Sequence, residues 1–219
     1  MSAGRPGQPG GQDAPRRRPL LVTAIPVVAL AVLLGWVAWN GLKTDSGSSR
    51  GPRPGSQMPP FAAPLALSAV NGDVNVARRA GEGAAGSRPA CEVRGEGILN
   101  SCDLVARRPV VLAFVGAGQQ RCAEGLDRLV AASRGTGVGV AGVIVRGSQQ
   151  EARSLASARG WKVPVAWDRD GVLANLYGVA VCPQYVYLRR GGTVSAVGVG
   201  EASTSSLAAR LRALAGEGR

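Results

Sequence analysis

The chain has 219 residues, room for one folded domain and a tail, and 45% are hydrophobic, which excludes wholesale disorder. It contains no histidine, which excludes His-based triads, His general bases and every usual zinc set except an all-cysteine one. The net charge is +12, and the part of it that falls over residues 61–219 is scattered, mostly over single residues and Arg-Arg pairs, with no long basic run and no interleaved aromatics, so no nucleic-acid partner is expected.

Residues 1–18 form a basic tail, with Arg5, Arg16, Arg17 and Arg18 against Asp13. A charge-free run follows from Leu20 to Trp39 (LLVTAIPVVALAVLLGWVAW), inside a predicted transmembrane helix over 19–42. At about 1.5 Å per residue such a helix spans roughly 30 Å, the thickness of a bilayer core. Pro26 sits in its second turn, where a kink is tolerated, and Trp36 and Trp39 stand where an aromatic belt lies. The arginines precede the span, which places the N-terminus in the cytoplasm and the rest of the chain outside. The run is longer than a signal peptide's apolar region, and Trp-Val-Ala-Trp lacks the small residues of a cleavage site. An uncleaved single-pass anchor in the cell membrane is therefore expected. Residues 43–60 (KTDSGSSRGPRPGSQMPP) have the composition of a Gly/Ser/Pro linker, and an extracytoplasmic domain is expected over 61–219, beginning near Phe61.

Within that domain strands and helices alternate. Val110–Val115 (VVLAFV) is a continuous apolar, β-branched run, the pattern of a strand covered on both faces. Helix is expected over Glu124–Ser133, where Leu126, Leu129 and Val130 have core spacing. Strand follows over Val138–Val145, helix over Gln149–Arg159, strand over Val163–Ala166 and a short helix over Gly171–Tyr177. Tyr185–Arg189 and Thr193–Val199 read as two strands joined at Gly191-Gly192, and Ser203–Leu214 as a closing helix. The expectation is an α/β fold whose central mixed sheet is flanked by helices.

Four cysteines, Cys91, Cys102, Cys122 and Cys182, all lie beyond the apolar span, where disulfides persist. Four cysteines allow three pairings, and spacing alone leaves them open. Asp168 and Asp170 with Gly171 have part of a calcium-loop pattern but read as a solvated turn. Gly135–Gly139 (GTGVG) precedes a strand and is no phosphate cradle. Arg107-Arg108 and Arg189-Arg190 read as solvated turn charges. No metal or cofactor is expected.

Several stretches carry a resemblance. Arg108-Pro109-Val110-Val111-Leu112-Ala113-Phe114 resembles the opening strand of thioredoxin-like domains of the redoxin and TlpA type. The segments Trp167-Asp168-Arg169-Asp170-Gly171 and Leu176-Tyr177-Gly178-Val179-Ala180-Val181-Cys182-Pro183 resemble that family's run into its cis-proline. The hairpin from Tyr185 to Val194 matches as well, so the resemblance covers roughly 95 to 215. It implies a thioredoxin-like fold with Pro183 as the cis-proline beside the active site. The catalytic motif departs from the pattern: W-C-x-x-C falls on Gly118-Gln119-Gln120-Arg121-Cys122, so Gln119 replaces the exposed nucleophile and only Cys122 remains. A peroxiredoxin motif would need Pro at Val115 and Thr at Gln119.

The implied fold sets Cys182, just before Pro183, against the start of the helix that carries Cys122. Cys122 and Cys182 are thus expected to lie within bonding range and to pair, as a redox-active couple or as an inert bridge, the other reading being two buried thiols. Arg121 and the helix N-terminus would both favour a Cys122 thiolate. Cys91 and Cys102 flank the turn Arg94-Gly95-Glu96-Gly97, in a region where the family has an N-terminal hairpin. A structural bridge between them is expected to pin that hairpin and would contribute about 2–3 kcal/mol by loop closure. Two functions stay open: a thiol–disulfide oxidoreductase using Cys122 and Cys182, or a non-catalytic thioredoxin-fold scaffold. The family's usual substrates are cysteines of other proteins, so an exported polypeptide or redox partner protein is the expected partner of both.

Overall fold

The computed structural model describes residues 20–43, 51–75 and 86–217, which fall into two units divided at Asp45 and Ser46. The basic tail over 1–18 lies outside the described residues, as does residues 44–50 of the expected linker. The first unit contains helix α1, Leu20–Lys43. Its side chains are described over 26–37, and among the described residues no helix is long and apolar enough to cross a membrane.

The second unit is built on a five-stranded sheet. Its strands are β3 (Val110–Val115), β4 (Gly139–Ile144), β5 (Val165–Trp167), β6 (Gln184–Leu188) and β7 (Val194–Val199), in the order β5-β4-β3-β6-β7. β3, β4 and β5 run parallel, while β6 and β7 are antiparallel. A separate antiparallel pair joins β1 (Ala62–Pro64) to β2 (Ile98–Asn100). The helices are α2 (Ser101–Arg107), α3 (Gln120–Ser133), α4 (Gln149–Arg159), α5 (Val172–Leu176) and α6 (Thr204–Gly216).

β3 lies at the centre, and its alternation explains its unbroken apolar sequence. Val111, Ala113 and Val115 face one core with Leu126 and Leu129 of α3 and Leu207 and Leu211 of α6. Val110, Leu112 and Phe114 face the other with Phe61, Leu173 and Tyr177. Both faces are thus closed to water, as a parallel sheet requires.

Most elements fall where the pattern places them, with four informative differences. Helix α3 begins at Gln120, four residues before the predicted Glu124, because its first turn is polar and carries no apolar period. β5 starts after Pro164 and runs to Trp167, since proline has no N–H to donate and only its carbonyl joins the sheet, accepting from Gly142 N at 2.9 Å. Residues 51–60, read as linker, lie on the domain. Gly55 N donates to Val194 O, Met58 N donates to Gly192 O, and the buried Tyr177 hydroxyl donates to Pro59 O at 2.7 Å. Cys91 and Cys102 do not pin a hairpin: β2 pairs with the distant β1, and Cys91 lies in a 3₁₀ turn over Ala90–Glu92.

Candidate functional site

The site forms where α3 begins beneath the loop that enters β6. β3 ends at Val115, and Gly116 to Gln119 carry the chain into α3, whose third residue is Cys122. Gln119 is the helix N-cap, but its side chain caps no backbone group. Its amide Oε1 lies 3.0 Å from Cys122 Sγ instead. Across from it, a cis peptide joins Cys182 to Pro183, as the resemblance implies. Pro183 O accepts from Gly200 N at 2.8 Å, which ties the loop to the end of β7.

Cys122 and Cys182 form a disulfide, with Cα atoms 5.4 Å apart and a sequence separation of 60. That separation is within the range a disulfide requires. Gly125 makes the approach possible. It stands one turn after Cys122, and a Cβ there would come within 2.6 Å of Pro183 Cγ and 2.8 Å of the Tyr185 hydroxyl. Only a helix with a bare backbone at this position lets the loop settle onto it. A glycine three residues after the cysteine, in an otherwise good helix sequence, was the available signal for this contact.

The two sulfurs have different surroundings. Cys122 is buried at 4% exposure, whereas Cys182 is only partly buried and next to Val181, which is 51% exposed. Gly116 N–H donates to Cys182 Sγ at 3.3 Å, and Cys122 has the N-terminal turn of α3. Each sulfur therefore has a partial positive charge beside it to stabilise a thiolate. Gln119, Arg121, Glu124 and Glu201 line a shallow cleft of about 700 Å³ over the bridge. Beneath it Tyr185 is buried with its hydroxyl unpartnered. Burial pushes its pKa up to about 12, against a lowering influence of Arg128, so the phenol stays neutral.

Cys91 and Cys102 form the second disulfide, with Cα atoms 5.5 Å apart. Asn100 reinforces it: its Oδ1 accepts from Cys102 N and Asp103 N, and its Nδ2 donates to Ala90 O and Val93 O. Cys102 lines a hollow with Gly191 of the β6–β7 hairpin, at the opposite end of the sheet from Cys182. The two bridges are thus separate centres.

Asp168 corrects the reading of its segment as a solvated turn. It is 2% exposed and accepts from Leu173 N at 3.1 Å and Ala174 N at 2.9 Å, capping α5. Burial raises its pKa, opposed by these backbone hydrogen bonds. Arg189, read as a solvated charge, pairs with Glu217 at 2.7 Å. Among the described residues no cluster of three or more His, Cys, Asp or Glu side chains could hold a metal ion.

No family model matches the chain, and no curated protein matches it either. Solved structures do. A Chlorobium tepidum protein described as a thiol:disulfide interchange protein, DsbE, is 19% identical, with a TM-score of 0.56 over 74% of this chain and 98% of that one. The thioredoxin domain of a thiol-disulfide oxidoreductase from Bacteroides vulgatus is 12% identical, with a TM-score of 0.54 over 75% and 99%. A peroxidoxin from Mycobacterium tuberculosis is 15% identical, with a TM-score of 0.53 over 76% and 98%. Neighbours of differing activity share the architecture, so the likeness speaks to fold and leaves the chemistry to the site. By that likeness, and by its strand order, the domain has a thioredoxin-like fold.

Proposed function

We propose that this chain is a membrane-tethered, extracytoplasmic thiol–disulfide oxidoreductase that acts on exported polypeptides through Cys122 and Cys182. The observation that carries the reading is the bridge itself. It joins the first turn of α3 to the loop before Pro183, at the mouth of a cleft, with a hydrogen-bond donor or helix terminus beside each sulfur. Thiol–disulfide exchange needs an accessible sulfur, a leaving thiolate that is stabilised, and a second cysteine to resolve the mixed disulfide. The three requirements are met without the cysteine that Gln119 replaces. The tether rests on the charge-free run from Leu20 to Trp39 and on the arginines before it.

Gln119 supports a second reading, in which the fold serves as a scaffold and both bridges are structural. Purified chain incubated with a reduced, unfolded polypeptide separates the two. Oxidation of the polypeptide is expected to persist in Cys91→Ser/Cys102→Ser and to vanish in Cys122→Ser/Cys182→Ser. Equal, negligible turnover by the wild type and both double variants would support the scaffold.

A further inference from the structure

Attack on a disulfide is directional: the entering thiolate must reach one sulfur from behind while the other departs. In this site the two sulfurs are not equivalent targets. Cys122 is 4% exposed and packed in the core that holds Ala123, Leu126 and Tyr185. Cys182 is partly exposed, on a loop that reaches solvent at Ala180 and Val181. Resting on the oxidoreductase reading, the geometry points to Cys182 as the sulfur that exchanges with the partner, and to Cys122 as the buried sulfur that leaves first and resolves last. The order of use along the chain is then the reverse of that implied by the resemblance. The exposed thiol comes from the loop before Pro183, because the position ahead of α3 holds Gln119.

A thiolate of a reduced exported polypeptide attacks Cys182 Sγ; a new S–S bond forms there as the bond to Cys122 breaks. The electron pair departs on Cys122 as a thiolate, stabilised by the N-terminal turn of α3. The polypeptide's second thiolate then attacks its own sulfur in the mixed disulfide, and Cys182 leaves as a thiolate beside the Gly116 N–H. The polypeptide dithiol has lost two electrons and become a disulfide; the Cys122–Cys182 disulfide has gained them and become a dithiol. In the reducing direction the same path runs backwards, with Cys182 as nucleophile and Cys122 as the thiol that releases the product.

Two single variants of the full chain, with Cys91–Cys102 left intact, test the assignment. Each is mixed with a peptide carrying one cysteine activated as a thiopyridyl disulfide, and adduct formation is timed on non-reducing gels. Cys122→Ser, which keeps Cys182, is expected to capture the peptide at least about tenfold faster than Cys182→Ser, as its sulfur is the more accessible. The same order is expected in the reduced wild type, where brief iodoacetamide treatment should label Cys182 before Cys122 by mass spectrometry. That measurement needs no substitution and is immune to misfolding of a variant. Equal or reversed rates would overturn the assignment of Cys182 while leaving the pair as an exchange centre. Capture by neither variant, with neither thiol labelled in the folded wild type, would overturn both.

Discussion

At the scale of single residues, Gln119 decides what chemistry is left at the head of α3. With an amide there, Cys122 has no partner within its own turn and must find one across the site, which Cys182 supplies. The sequence carried both cysteines and the proline, but the closeness of Cys122 and Cys182 was legible only through the fold the resemblance implied. The inward turn of Asp168 is hidden in the sequence for a related reason. Its neighbours Arg169 and Asp170 are exposed and charged, and nothing local shows that its own side chain turns inward to cap α5. Its raised pKa has a consequence for stability. A carboxyl whose folded value lies above its unfolded value binds its proton more tightly in the folded state. Folding is therefore favoured most below the ordinary aspartate range, and this contribution falls as pH rises from there through the raised folded value. Urea unfolding of wild type and Asp168→Asn across that window is expected to show the difference between them shifting against the wild type as pH rises. A pH-independent difference would contradict the raised value.

At the scale of elements, the packing of the cis-proline loop on α3 is the contact that makes the site. Gly125→Ala places a methyl against the Pro183 ring and the Tyr185 hydroxyl, two rigid groups with no room to yield. The expected cost is about 1–3 kcal/mol, measured by urea unfolding under oxidising conditions. A loss well below this would mean that the loop stands further from α3. The long elements were legible because they repeat a period: β3, β4 and α4 lie within a residue of their predicted limits. β1, β2 and α2 were not legible. Two of them are three-residue strands, defined by pairing with each other over a distance in sequence that no local pattern records. α2 opens on Asn100-Ser101-Cys102-Asp103, where the Asn side chain accepts from Cys102 N and Asp103 N, a cap signal present in the sequence but without an apolar period behind it to mark a helix.

At the scale of the whole molecule, an apolar run of chain precedes a thioredoxin-like domain with a bridge at its cleft. The tether is tested by alkaline carbonate extraction of membranes. The full-length chain is expected in the pellet, and its release at full size would contradict the anchor. The domain itself holds two disulfides at opposite ends of one sheet, and the account assigns them different work: Cys91–Cys102 braces the fold, and Cys122–Cys182 exchanges. A redox titration of the purified chain in glutathione buffers, with the state of each pair read by alkylation and peptide mapping, tests that division most directly. The account expects Cys122–Cys182 to titrate above about −250 mV, where exchange with other proteins is reversible. A value below about −300 mV would make that bridge structural and contradict the account.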